Sequence, residues 1–114
     1  MIDLSVILNS LAQQRPVFHS EADFQHALAW EIQKHLPAAA IRLEYPISNK
    51  DSRMYLDIYI TQLRRLVAIE LKYKTREVAI EIGSEKFTLK NQSAQDIGRY
   101  DFIKDIYRLE QMLN

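Results

Sequence analysis

Three residues of this chain have the types and spacing to do chemistry together: Asp57, Glu70 and Lys72. Asp57 lies in Met54-Tyr55-Leu56-Asp57-Ile58-Tyr59-Ile60, where apolar and polar or aromatic residues alternate as in a half-buried strand. Glu70 and Lys72 lie in an apolar run, Leu66-Val67-Ala68-Ile69-Glu70-Leu71-Lys72, which reads as a central strand continuing to about Tyr73. A hairpin turning about Leu63-Arg64 sets Ile60 against Val67, Ile58 against Ile69 and Leu56 against Leu71. On the other face the same register sets Asp57 against Glu70 and Tyr55 against Lys72. Opposed carboxylates have side-chain roots about 5 Å apart and destabilise a sheet unless a cation lies between them. Mg²⁺ suits that place, since it takes one or two carboxylates at about 2.0–2.1 Å while keeping waters and accepting phosphate oxygens. Lys72, on the strand face of Glu70, could then polarise an attacking water or neutralise charge on a phosphate.

The elements that must hold these residues follow from the pattern around them. Leu4, Ile7, Leu8 and Leu11 recur at helical spacing between Asp3 and Gln13, giving a short helix that ends before Pro16 and serves as a lid or brace. Ser20 begins a stronger helix, with Asp23 three residues on completing a capping-box-like pattern. Phe24, Leu28 and Ile32, with Ala27, form its apolar stripe, and Pro37 ends it. Ile41, Leu43, Tyr45 and Ile47 alternate with Arg42, Glu44 and Pro46 as a strand, Pro46 marking an edge or end. After the central pair, Val78, Ile80 and Ile82, then Gly83-Ser84, then Phe87 and Leu89 predict a further hairpin. Beyond Asn91 the spacing of Ile97, Phe102, Ile106, Leu109 and Leu113 predicts a long final helix. The expected class is α+β, with a mainly antiparallel sheet.

Composition bounds the answer. At 114 residues the chain is one domain, burying roughly 65% of its unfolded surface. Fifteen basic and fifteen acidic residues cancel, which disfavours a binder that works by bulk positive charge. The neutrality is uneven, however: Arg64, Arg65, Lys72, Lys74 and Arg76 stand in one stretch against the single acid Glu70. Such a patch beside a carboxylate site suits phosphodiester binding. With no cysteine there is no disulfide framework or thiol nucleophile, and no run approaches the ~18 apolar residues of a membrane span. A cytoplasmic protein without a membrane partner is expected. His19, His26 and His35 lack zinc-site spacing, and Gly83 and Gly98 stand alone, so no phosphate-cradling glycine loop is present.

Leu56-Asp57 and Glu70-Leu71-Lys72, in consecutive strands after the helix that starts Ser20-Glu21-Ala22-Asp23-Phe24-Gln25, resemble the PD-(D/E)xK nuclease superfamily. The resemblance implies a restriction-endonuclease-like core: helix, three antiparallel strands, helix and a last strand. Its sheet, mainly antiparallel or mixed, is flanked by helices as in an α/β/α sandwich. The whole chain, 1–114, is then one such domain, with an N-terminal helix in 1–15 and the core over 20–113. Leu56 stands where the motif has proline. The chain stops just after the expected final helix, so on this reading the last core strand is missing: either the chain is a truncated fragment, or the strand is absent or is supplied at the open sheet edge by a homodimer or another partner.

What the resemblance implies chemically is a Mg²⁺- or Mn²⁺-dependent nuclease that hydrolyses phosphodiester bonds, with DNA preferred to RNA as its substrate. Asp57, Glu70 and the Leu71 carbonyl would hold the metal, and Lys72 would position the water. Glu21, or alternatively Glu31, would add a carboxylate from the helix. Gln95 and Arg99, one helical turn apart, would face the phosphates. Lys74 lies in the basic stretch, and Tyr45, Tyr55, Tyr59 and Tyr73 offer rings on which unpaired bases could stack. The rival expectation is a catalytically inactive module of the same fold that binds nucleic acid or a protein.

Overall fold

The second helix starts at the residue that the sequence marks for it, Ser20, and the first starts at Asp3. The structure is a computed structural model, which describes residues 2–15, 18–48, 53–72, 78–82, 85–93 and 105–112. Asp3 caps α1 (Leu4–Gln14) by accepting from the amides of Ser5 and Val6. Ser20 caps α2 (Glu21–His35) by accepting from the Asp23 amide at 3.0 Å. The capping box is modified: the Asp23 carboxylate accepts from the His19 amide at 2.9 Å and pairs with Arg15 at 2.7 Å. The Arg15 hydrogen bonds hold the Asp23 carboxyl below its ordinary range, helped by the His19 amide.

Among the described residues six strands follow: β1 (Ala40–Ser48), β2 (Arg53–Gln62), β3 (Arg65–Lys72), β4 (Val78–Ile82), β5 (Glu85–Ser93) and β6 (Asp105–Met112). They are ordered β1-β2-β3-β6-β5-β4, every pairing is antiparallel, and β4 also contacts β1. The class is thus α+β, with two helices and an antiparallel sheet. The expected register of the central hairpin is present from the turn as far as Ile58 opposite Ile69, with Ile60 opposite Val67; the expected pairs Asp57–Glu70, Leu56–Leu71 and Tyr55–Lys72 are not formed, because the ladder ends before them.

The core lies between the helices and one face of the sheet. Phe24, Leu28 and Ile32 of α2 and Leu4, Ile7, Leu8 and Leu11 of α1 cluster with Ile58, Ile60, Val67, Ile69, Leu71 and Ile106. Each such buried side chain contributes roughly 1.5–3 kcal/mol relative to exposure. α1 is a brace, tied to α2 through Glu31 and joined to the end of the chain by Arg108, whose Nη2 donates to the Ile2 carbonyl at 2.7 Å. On β3, residues 66 to 71 are all buried, so both of its faces are covered. Such a strand needs a neighbour on each edge.

That requirement corrects the end of the chain. The long final helix expected beyond Asn91 is strand over 91–93, within β5, and strand again in β6, while residues 94–104 lie outside the described residues. The apolar spacing at 106, 109 and 113 is compatible with a helix taken alone. β3 instead recruits this segment along its whole length, from Arg65–Met112 to Lys72–Asp105, and Ile106 is buried against the core opposite Leu71. The last described segment of the chain is therefore a strand paired with β3, in place of the expected helix. The second hairpin is present as β4 and β5; its Gly83-Ser84 turn lies outside the described residues.

Two backbone positions depart from the alternation, each with positive φ on a residue other than glycine. Leu63, in the β2–β3 turn, has φ 54° and Glu44, in mid-β1, has φ 52°. Each costs roughly 1–2 kcal/mol against an ordinary conformation.

Candidate active site

Asp57 is placed where the central hairpin comes apart. β2 and β3 pair regularly from the turn to Ile58–Ile69, and the ladder stops there, one residue short of Asp57 and Glu70. Leu71, whose amide would otherwise bond to the β2 backbone, donates instead to Asp57 Oδ2 at 2.7 Å. A carboxylate thus replaces a carbonyl in the ladder, in a hydrogen bond to a charged acceptor worth about 1.5–3 kcal/mol.

The other side of Asp57 is irregular too. The β1–β2 register runs from Ala40–Thr61 to Leu43–Ile58 and from Tyr45–Leu56 to Ser48–Arg53, omitting the pair at Glu44. Regular alternation would place Tyr45 with Leu43 on the core side and Glu44 on the opposite side. The left-handed Glu44 reverses this. Its Oε1 accepts from Gln25 Nε2 of α2 at 3.2 Å, while Tyr45 stacks on Tyr59 with ring centroids 3.9 Å apart and planes 6° apart. Burial, with Tyr45 beside it, raises the Tyr59 phenol above its ordinary pKa.

Gln25 is the residue that joins these irregularities. It is buried on α2, and its Nε2 also donates to the Asp57 backbone carbonyl at 2.7 Å. One amide therefore bridges Glu44 and the Asp57 main chain, fixing the broken row of the sheet to the helix above it. The sequence reading missed both Gln25 and Glu44. The available signal was an amide on the apolar stripe of α2, beside Phe24 and one turn before Leu28 and Ala29.

Of the other expected site residues, Glu70 is buried at 6% exposure on β3 and lies opposite Tyr107 of β6. Leu71 follows it with its amide on Asp57. Lys72 is the last residue of β3, its backbone opposite Asp105, and its side chain lies outside what is described. Asp57, Glu70 and Leu71 thus lie at one end of the β2–β3 pair, but Asp57 meets the Leu71 amide and is not paired opposite Glu70 as expected. Glu21 is exposed in the first turn of α2, four residues before Gln25 and on the same helix face. Glu31 is engaged elsewhere: Ser10 and Gln14 of α1 donate to it at 3.0 and 3.1 Å, and Lys34 and His35 lie at 2.9 and 3.2 Å. Burial raises the Glu31 pKa, but Lys34, Ser10 and His35 outweigh it and leave the carboxyl below its ordinary range.

Tyr55 is exposed at 46% on β2, while Lys74, Tyr73, Gln95 and Arg99 lie outside the described residues. Among the described residues no three His, Cys, Asp or Glu side chains group so as to hold a metal ion. The expected donors at this end of the hairpin, two carboxylates and a main-chain carbonyl, are hard oxygen ligands in type, of the kind that Mg²⁺ and Mn²⁺ accept. No described helix is long and apolar enough to cross a membrane. Comparison with family models, with curated proteins and with solved structures finds no match to this chain.

Proposed function

We propose that this chain is a metal-dependent nuclease of the PD-(D/E)xK kind, hydrolysing phosphodiester bonds of nucleic acid, with DNA preferred to RNA. The observation that carries the reading is the Asp57 carboxylate held by the Leu71 amide where the β2–β3 ladder ends, one strand from the buried Glu70. A carboxylate that interrupts a sheet at the cost of regular pairing is placed for something other than the sheet. Asp57, Glu70 and the Leu71 carbonyl would hold Mg²⁺ or Mn²⁺, which when bound polarises the phosphate and lowers the pKa of a coordinated water.

The chain's own residues do the rest. Leu71 N–H and Gln25 fix the carboxylate and the main chain of Asp57, so little reorganisation is needed when substrate arrives. Lys72, two residues beyond Glu70, supplies the cation that orients the water or offsets phosphate charge. Glu21, on the Gln25 face of α2, is the better-placed helix carboxylate, because Glu31 is committed to α1.

The test is cleavage of single-stranded, double-stranded and branched DNA and of RNA in Mg²⁺ and in Mn²⁺. Activity of the parent that falls sharply in both Asp57→Asn and Lys72→Ala is the expected result; equal rates in parent and Lys72→Ala would sink the mechanism. The net charge of zero favours a second reading, an inactive module of the same fold. Calorimetry separates the two: saturable Mn²⁺ binding abolished by Asp57→Asn belongs to the nuclease alone.

A further inference from the structure

The β2–β3 turn is a second place at which this chain departs from the cheapest backbone. Leu63 and Arg64 form the whole loop between the paired Gln62 and Arg65. Tight two-residue hairpin loops select glycine, asparagine or aspartate where φ is positive. Here a leucine occupies that position at φ 54°, and it is 97% exposed. It gains nothing from burial and does not ease the turn. Arg64 and Arg65, both exposed, follow it, and neither has an ion-pair partner among the described residues. Met112 of β6, 56% exposed, lies alongside, and these four residues with Gln62 line an open groove of about 600 Å³.

We propose that this tip is a nucleic-acid anchor: Leu63 wedges between base pairs at the minor groove of a duplex while Arg64 and Arg65 take the flanking phosphates. The inference rests on nucleic acid being the partner of this chain. An apolar side chain projecting from a basic surface is the combination that partly unstacks a base step and holds the bent duplex. Charge decides the occupant. Two unpaired guanidinium groups beside one leucine and one methionine fit a polyanion with an apolar interior better than a second copy of a neutral chain, and the apolar area is small for holding a lipid surface. The tip is also placed to act with the candidate active site. Leu63 lies six residues from Asp57 along β2, ~20 Å at the ~3.3 Å rise of a strand. That span corresponds to about six base pairs, so a duplex shorter than this cannot engage both ends of the hairpin.

The test uses the Asp57→Asn chain, which binds without cutting, and a labelled duplex of about 20 base pairs titrated at several salt concentrations. Leu63→Gly is the decisive change, because glycine suits the turn and the variant should melt at or above the parent temperature. The expected result is about a tenfold loss of affinity for Leu63→Gly with the salt slope kept. Arg64→Gln with Arg65→Gln should weaken binding and lower the slope by about two. 2-Aminopurine in the duplex should brighten on binding the parent and not on binding Leu63→Gly. Equal affinity and slope in all three chains would overturn the anchor, as would no duplex binding by the parent. A dimer lost in Leu63→Gly, or Leu63-dependent binding to phosphatidylserine vesicles without duplex binding, would overturn it in favour of those occupants. The catalytic reading is scored separately. Metal-dependent cutting by the otherwise unmutated chain that Leu63→Gly leaves unchanged removes the anchor and keeps the nuclease; Leu63-dependent binding without cutting by the parent does the reverse.

Discussion

Glu31 and Asp57 are both acids held in place by hydrogen bonds, and the donors differ. Glu31, buried between α1 and α2, is held by Ser10, Gln14, Lys34 and His35, so its charge is offset by two neighbours that can be cationic. Asp57 takes a main-chain amide on its carboxylate, and Gln25 takes hold of its backbone carbonyl. These two donors fix both its carboxylate and its main chain. Glu31 is a structural acid, a fastener between two helices. Asp57 sits where the strand ladder has been given up, and under the proposed function its carboxylate would help to hold a metal ion.

The contrast is broken most directly at Asp57. Asp57→Asn keeps an acceptor for the Leu71 amide, so its melting temperature should stay close to the parent's while cleavage falls by at least ~10³-fold, measured as kcat on DNA in Mn²⁺. Loss of folding in parallel would make Asp57 another Glu31. The mirror experiment is Glu31→Ala, which leaves Lys34, His35 and the α1 donors without their common acceptor. Urea unfolding should show about 2–3 kcal/mol of destabilisation, with kcat unchanged in the folded protein. Gln25→Ala tests the link between the two kinds of site. Its expected effect is a 10- to 100-fold fall in kcat with KM nearly constant, as for supports of metal ligands, together with a smaller loss of stability.

The smallest effect is the pH dependence. Glu31 and Asp23 both have folded pKa values below their ordinary ones. Groups of that kind bind protons more readily when unfolded, so their stabilisation is complete above about pH 4.5 and is lost as pH falls through the folded values. Thermal unfolding followed from pH 7 to pH 3 should therefore show a falling melting temperature below about pH 4.5, shallower in Glu31→Gln.

Much of this could be read before any coordinates. Ser20 is a cap because its short hydroxyl reaches an amide three residues on, a local matter. The central hairpin was legible because apolar residues fall in step on both sides of Leu63-Arg64, and only one register buries them together. That register put Asp57 and Leu71 at the same end of the hairpin, although it ends before the expected Asp57–Glu70 pair. The same local logic failed beyond Asn91. The apolar residues there satisfy a helical spacing, and what overrides it is the exposed edge of β3, a segment some forty residues away in sequence.

Gln25 and Glu44 were hidden for a related reason. Nothing in Ile41-Arg42-Leu43-Glu44-Tyr45 signals that Glu44 turns left-handed and reverses the strand's two faces. That conformation is unfavourable by itself and persists because Gln25 of α2 holds both Glu44 and the Asp57 carbonyl. The sequence by itself determined the start of the second helix and the hairpin register as far as Ile58–Ile69, because each depends on neighbours along the chain or on one apolar pairing. Tertiary structure alone decided the last strand, the break in the ladder and the helix amide that secures it. Those depend on which backbone groups are left without partners once distant segments have met.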